Sequence, residues 1–136
     1  MSFQESVTVR NARLDAIETA IGTSAIMKIR TGAPPANCAA ADSGTVVATI
    51  NLPSDWMAAA SAGSKAMLGT WQDTSADATG TPGHFRVYDS GGSVCHLQGT
   101  VTFTGGGGDM TVDVSGNITA GQQFTIATAV ITAGNA

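Results

Sequence analysis

Charged side chains are scarce in this sequence. Asp, Glu, Lys and Arg make up only 12% of its 136 residues, against about a quarter in ordinary soluble domains. The net charge is −4, and the six lysines and arginines are scattered along the chain. A protein that follows a phosphate backbone needs a clustered cationic surface. The composition therefore predicts no nucleic-acid partner.

Long apolar runs are absent as well. No stretch approaches the roughly 18 apolar residues of a membrane span, so we predict no membrane partner. The first residues, MSFQESVTVR, lack the apolar segment of a secretory signal. We therefore expect the protein to be made and assembled in a cytoplasm.

Cysteine is limited to Cys38 and Cys95. Two cysteines this far apart in sequence do not indicate a disulfide framework. Cys95 alternates in phase with Leu97 and Val101, which predicts a small buried hydrophobe on an inward strand face. A bridge between subunits in an oxidising medium is the alternative, and the sequence leaves the redox state open.

No motif of known chemistry stands out in the sequence. It shows no nucleophile–base pair and no metal-ligand spacing. We therefore predict no enzymatic activity, no cofactor and no metal site. The run Gly105–Asp109 joins two predicted strands and lacks the helix and lysine of a phosphate cradle, so it is interpreted as a turn.

Three polar residues of one predicted hairpin invite a metal interpretation. His84, Arg86 and His96 would share its polar face, but no third ligand lies nearby in the sequence. We predict that these side chains face solvent or an interface. Loop aspartates fit turns and caps better than a calcium site; they are Asp42, Asp73 and Asp77.

Small residues are what the chain has in abundance, including 17 glycines. After Gly22 the apolar pattern has a period of two, with turn residues about every ten positions. This predicts a mainly β protein, a single β-sandwich or barrel of about seven short strands. The predicted strands and hairpin cover residues 25–30, 45–52, 66–72, 84–104, 109–114 and 123–131. The predicted organisation is an N-terminal helix or arm, 1–22, followed by a β domain, 23–136.

A helix is predicted over residues 2–22. Ser2 and Glu5 fit a capping box, and Gly22 fits a C-terminal cap. Apolar residues recur at spacings of four and three, which favours either packing on the chain's own sheet or association with partner subunits. The β-branched residues 7–9 leave an extended arm as an alternative.

A second, short helix is predicted over Asp55–Ala62, capped by Ser54 after Pro53. Trp56 at its start fits the core and a subunit contact equally well, whereas Trp71 is predicted to lie in the core. The candidate partner or oligomer contacts of the chain are Phe3, Val7, Arg10, Leu14, Ile17, Ile21 and Trp56.

The pattern of the predicted hairpin also indicates its register. A three-residue turn at Ser90–Gly92 would place Val87 opposite Cys95 and Phe85 opposite Leu97. Apolar residues would then face apolar residues across the two strands.

Four runs of the sequence are distinctive: NARLDAIETAIG, IRTGAPPANCAAADSGTVVATINLPSDWMAAASAGSKAM, GTWQDTSADATGTPGHFRVYDSGGSVCHLQGTV and TGGGGDMTVD. Through these runs nearly the whole chain resembles small structural proteins of tailed bacteriophages and prophages. The resemblance implies a virion component without catalytic residues, most directly a capsid decoration (cement) protein on the major capsid lattice. It also implies a homo-oligomer, with a trimer favoured. The alternative is a collar, tail or fibre module that binds a host surface or another virion protein, with Trp56 and Tyr88 at its recognition edge.

Overall fold

Eight β-strands and one helix make up the computed structural model, which describes residues 3–134. The elements are α1 (Val7–Ile21), β1 (Ile26–Arg30), β2 (Val46–Asn51), β3 (Ser64–Ala66), β4 (Gln72–Asp73), β5 (His84–Tyr88), β6 (Cys95–Phe103), β7 (Met110–Val112) and β8 (Phe124–Thr132). The strands form one sheet in the order β2-β1-β5-β6-β7-β8-β3, and β4 pairs with β8. The predicted mainly β class with an N-terminal helix is confirmed.

The sheet does not close into a barrel, so that predicted alternative is wrong, while the sandwich stays a prediction. β4, which pairs with β8 near one end of the strand order, also contacts β2 at the other end. Its Asp73 pairs with Phe124 of β8, and the Asp73 carboxylate accepts a hydrogen bond from the Thr49 backbone N–H of β2 at 3.1 Å. A side chain, and not a strand ladder, therefore makes this link.

Helix α1 begins later than predicted and ends where predicted. Ser6, in an extended conformation, is its N-cap, and the Ser6 side chain accepts a hydrogen bond from the Val9 N–H at 3.3 Å. Ser2 lies outside the described residues. At the other end the Gly22 N–H donates to the Glu18 carbonyl at 2.8 Å. Gly22 adopts a φ of 87°, a conformation that glycine reaches at little cost.

The short helix predicted over Asp55–Ala62 is wrong. Ala58 donates its N–H to the Ala66 carbonyl at 2.9 Å, so this segment runs alongside β3. Ala62 and Gly63 both have positive φ, 52° and 76°, as a two-residue type I′ turn requires. Ala60 and Ser61, whose N–H groups a helix would bond internally, donate instead to the Asp15 carboxylate and to the Ser64 carbonyl.

The predicted strand over residues 66–72 is also wrong, because it is broken into β3 and β4. Gly69, with a φ of 72°, interrupts the extended conformation between them. Its α-carbon lies against Pro53, where an added Cβ would come within 3.3 Å of the proline Cγ.

The hairpin of β5 and β6 is confirmed, but its predicted register is wrong. Val87 pairs with Leu97, and Phe85 pairs with Gly99. A Cβ on Gly99 would lie 2.8 Å from the Phe85 ring. Glycine therefore makes room for the ring, and a register shift after Val87 lets Tyr88 pair with Cys95.

The glycine-rich turn after β6 leads into an unusual connection. Residues 104–109 return the chain so that β7 pairs with β6 in parallel, Val101 opposite Met110. Parallel neighbours ordinarily need a crossover of a dozen or so residues. Here the Asp109 carboxylate accepts hydrogen bonds from the N–H and hydroxyl of Thr100, both at 2.8 Å, which fixes the tight return.

Candidate functional site

The start of the chain exposes apolar side chains. Phe3 is 97% exposed, Val7 49% and Val9 46%. All three lie in the segment before α1 or in its first turn. We call residues 3–9 the N-terminal segment.

The C-terminal half of α1 packs onto the domain. Leu14 and Ile21 are buried, and Ile17 packs against the core cluster. The predicted apolar stripe is thus divided along its length. Its later members are covered by the chain's own β domain, and its first members, Phe3 and Val7, are left for solvent or a partner.

Arg10 lies at the boundary between these halves and makes contacts within the chain. Its Nε donates to the Ala133 carbonyl at 2.9 Å. Gly63 lies so close that an added Cβ would be 2.2 Å from an Arg10 guanidinium nitrogen. Arg10 therefore joins α1 to the end of β8 and to the turn before β3.

A buried lysine also joins α1 to the β domain. Lys65 on β3 is 2% exposed, and its Nζ lies 2.8 Å from Asp15 and 3.1 Å from Glu18. Burial lowers the pKa of Lys65, but the hydrogen bonds and charges of the two carboxylates outweigh it and leave that pKa above its usual value. The ammonium therefore stays charged against the helix.

The same two carboxylates bind backbone N–H groups of the segment that was predicted to be helical. Glu18 accepts from Trp56 and Met57 at 3.2 and 3.1 Å, and Asp15 accepts from Ala60 at 2.9 Å. Acidic side chains of α1 thus satisfy donors some 40 residues later in the chain. Nothing in the local pattern at 54–62 indicates this.

Trp56 lies in the core. It is fully buried, its Nε1 donates to the Gly22 carbonyl at 3.1 Å, and its ring lies 6.0 Å from that of Trp71. Of the two roles that the sequence left open for Trp56, the structure places it in the core and not at the surface. Tyr88 is buried too, so neither aromatic ring is presented to a receptor.

The polar residues of the β5–β6 hairpin differ in their exposure. His84 and Arg86 are buried, so their predicted exposure is wrong; His96 is exposed. The reason is the loop of residues 31–45, which covers the outer face of β5. His84 Nδ1, for example, lies 2.9 Å from the Gly32 carbonyl. Within residues 3–134, no group of three or more potential metal ligands comes together.

Sequence reasoning missed a charge cluster beneath that loop. The Asp42 carboxylate is bound by Arg86, by Arg30 at 2.9 Å and by the Tyr88 hydroxyl at 2.7 Å. Arg86 is 2% exposed and Arg30 is 8% exposed. All five residues of β5 are buried, so this strand is covered on both faces. Its sequence, HFRVY, carries no signal of this, because polar and apolar residues alternate from His84 to Val87.

The cluster sets the charge state of Asp42. Burial raises the pKa of this carboxyl, but hydrogen bonds from Tyr88 and Arg86 and the charge of Arg30 outweigh burial and hold it below its usual value. Asp42 therefore stays ionised and compensates two buried guanidinium groups, which makes the cluster a structural link between the loop and the sheet.

Asp73 serves as a turn residue, as predicted, whereas Asp77 makes a long-range contact with β2. Asp73 accepts from the Ser75 N–H at 2.9 Å, two residues later, and Asp77 accepts from the Thr49 hydroxyl at 2.7 Å. These contacts hold the 73–77 turn against β2.

An apolar cleft of about 250 Å³ opens beside the core. Of the polar residues Gln98, Asp109 and Thr132 on its wall, Asp109 and Gln98 are already engaged. Asp109 binds Thr100, and Gln98 binds Arg86 and the Pro35 carbonyl. The cleft therefore suits an apolar group better than a reacting polar one.

No helix within residues 3–134 is long and apolar enough to cross a membrane. Comparison of the chain with known protein families, with curated proteins and with solved structures finds no match.

Proposed function

We propose that the chain is a non-enzymatic structural protein of a bacteriophage virion that decorates the capsid by binding the major capsid lattice. The sequence resemblance to small virion proteins of tailed phages supports the proposal. The structural observation that carries it is the exposure of Phe3, Val7 and Val9 in the N-terminal segment. Apolar area held in water is stabilised when a partner covers it.

The way α1 is held supports a docking role for this segment. Lys65, Arg10 and the buried residues of α1 fix the helix to the β domain. The exposed first turn is therefore presented on a fixed support. A segment that is already ordered loses less conformational entropy when it binds.

The distribution of charge favours a partner recognised by shape and apolar contact. Four of the six cationic side chains within residues 3–134 form ion pairs inside the chain: Arg13, Arg30, Lys65 and Arg86. Arg10 donates to a backbone carbonyl, and Lys28 lies 5.2 Å from the centre of the Tyr88 ring. Few cations are left to steer an acidic partner.

We propose that the chain acts as a homo-oligomer, a trimer at local threefold positions of the lattice. Several copies held together would present several N-terminal segments to the lattice at once. Multivalent attachment of this kind raises overall affinity without any new type of contact.

The first test is the copy number of the chain in purified particles, measured against the major capsid protein by quantitative mass spectrometry. A ratio near one to one is expected. A ratio of a few dozen copies or fewer per particle would overturn the decoration role and favour a collar, tail or fibre position.

A second test uses matched substitutions of exposed valines. Val7→Thr/Val9→Thr removes apolar contacts from the N-terminal segment and keeps β-branched side chains. Val94→Thr/Val130→Thr makes the same change at two valines that are each 52% exposed elsewhere. We expect the first pair to weaken binding to capsids lacking this protein by about tenfold. Equal binding by both variants would show that the N-terminal segment is not the docking element.

A further inference from the structure

The two cysteines of the chain meet in the fold. The Sγ atoms of Cys38 and Cys95 lie 2.6 Å apart, although 57 positions separate the residues in sequence. Both are free thiols. This separation is only slightly longer than the disulfide bond length of about 2.05 Å.

The backbone on either side of Cys38 is firmly held. The Asn37 side-chain oxygen accepts hydrogen bonds from the N–H groups of Ala39 and Ala40, at 2.9 and 3.0 Å. The buried Arg86 guanidinium donates to the carbonyls of Asn37 and Ala40, both at 3.0 Å. The loop is thus anchored to β5 immediately before and after the cysteine.

Cys95 is held from the other side. It opens β6 and pairs with Tyr88 at the register shift of the hairpin. Its S–H donates to Cys38, and its sulfur also lies 3.6 Å from the Leu97 carbonyl. Both cysteines are half-buried and line one surface depression with Asp42 and Ser93, so a small reagent reaches them.

We propose that Cys38 and Cys95 form an intramolecular disulfide when the protein meets a low-molecular-weight disulfide such as oxidised glutathione. Cys38 attacks one sulfur of the reagent, forms a mixed disulfide and releases one thiol. Cys95 then displaces the second thiol and closes the protein disulfide. Two protein thiols are oxidised, one external disulfide is reduced to two thiols, and the two cysteine protons pass to the released thiolates.

The order of these steps follows from the environment of the sulfurs. Burial raises the pKa of Cys95 to about 12, and its hydrogen bond with Cys38 acts in the same direction. Because the thiolate is the nucleophile, Cys95 is a poor first attacker. The reaction therefore begins at Cys38.

The disulfide would fasten the loop of residues 31–45 to the β5–β6 hairpin by a covalent bond. At present that loop is held by the Asp42 cluster and by hydrogen bonds from Arg86 and Gln98. A covalent bond between two residues 57 positions apart closes a long loop, and this strongly restricts the conformations of the unfolded chain. The oxidised protein would thus be the more stable form in an oxidising medium.

The test incubates the folded wild-type protein with oxidised glutathione, followed by denaturation and alkylation of free thiols. We expect both thiols to be lost, no covalent link between chains and no bound glutathione, and the mass of each chain to fall by two hydrogen atoms. Proteolysis should release a peptide that joins Cys38 to Cys95. The unfolding temperature should rise by about 10 °C and return to its starting value with dithiothreitol.

Three results would overturn the proposal: two thiols that stay open to alkylation, covalent dimers, or one glutathione retained on each cysteine. The Cys38→Ser/Cys95→Ser variant is the control, and its unfolding temperature should not respond to the reagent. Asn37→Ala loosens the turn around Cys38 and leaves both cysteines in place. It should lower the equilibrium constant for disulfide formation severalfold, because the ordered turn holds Cys38 next to Cys95 and the variant loses this positioning.

Discussion

The ammonium of Lys65 lies 2.8 Å from the carboxylate of Asp15, and this contact joins β3 to the middle of α1. The lysine side chain is 2% exposed, whereas that of Asp15 is 47% exposed. The cation is therefore the buried partner, and it depends on α1 for its counter-charges. In turn, the N-terminal segment depends on this contact for its fixed support.

Replacing Lys65 tests this dependence. Lys65→Met keeps most of the aliphatic stem but removes the bonds to Asp15, Glu18 and the Ala58 carbonyl. We expect the free energy of unfolding to fall by about 2 kcal/mol, because hydrogen bonds to charged groups are lost. Denaturant unfolding followed by circular dichroism measures the change.

Lys28→Met is the matched control, since Lys28 is the only other lysine of the chain. Lys28 makes a cation–π contact with Tyr88, and its loss should cost less than about 1 kcal/mol. A Lys65 variant no less stable than the Lys28 variant would contradict the anchoring role.

Asp42 should make stability depend on pH in the acid range. Its pKa is lowered in the folded protein, so its stabilising contribution is present above the unfolded value of about 3.9. That contribution is lost as pH falls through the folded pKa. Asp42→Asn should therefore lower the unfolding temperature by several degrees at pH 7, and the deficit should shrink towards pH 3.

Asp55→Asn is the control for this series, because Asp55 is exposed. Its unfolding temperature should follow that of the wild type at both pH values. A deficit in Asp42→Asn that is constant from pH 7 to pH 3 would mean that the carboxylate charge is not what holds Arg30 and Arg86.

What the sequence could predict was local. Gly22 ends α1 because the cap lies within one turn of the helix, and the β5–β6 hairpin follows from alternation over neighbouring residues. The helix predicted over Asp55–Ala62 is wrong because the carboxylates of Glu18 and Asp15, far away in sequence, bind N–H groups of this segment. The sequence predicts Arg86 at the surface because its partner Asp42 lies in a loop that no periodicity places over β5.

The candidate contact residues show the same difference between local pattern and long-range packing. Spacing identified an apolar stripe on α1, but it could not divide the stripe into a covered and an exposed part. That division depends on where β3 and β8 lie, as the bonds of Arg10 to Ala133 and of Asn11 to Gly63 illustrate. Among these candidate residues, Phe3 and Val7 in the N-terminal segment are the exposed ones.

The tight parallel connection between β6 and β7 depends on glycine at position 108. The Gly108 N–H donates to the Thr102 hydroxyl at 2.9 Å, and an added Cβ would lie 2.9 Å from the Thr102 backbone nitrogen. Because that nitrogen belongs to β6, relief requires the strand itself to shift. Gly108→Ala should therefore lower the free energy of unfolding by about 1 to 3 kcal/mol.

Gly134→Ala is the control for the Gly108 substitution, since a Cβ there meets nothing within 4 Å. Hydrogen exchange at Thr102 and Thr111, on the paired strands, should accelerate only in the Gly108 variant. Unchanged exchange and stability would show that the connection has room for a side chain and that Asp109 and Thr100 alone define it.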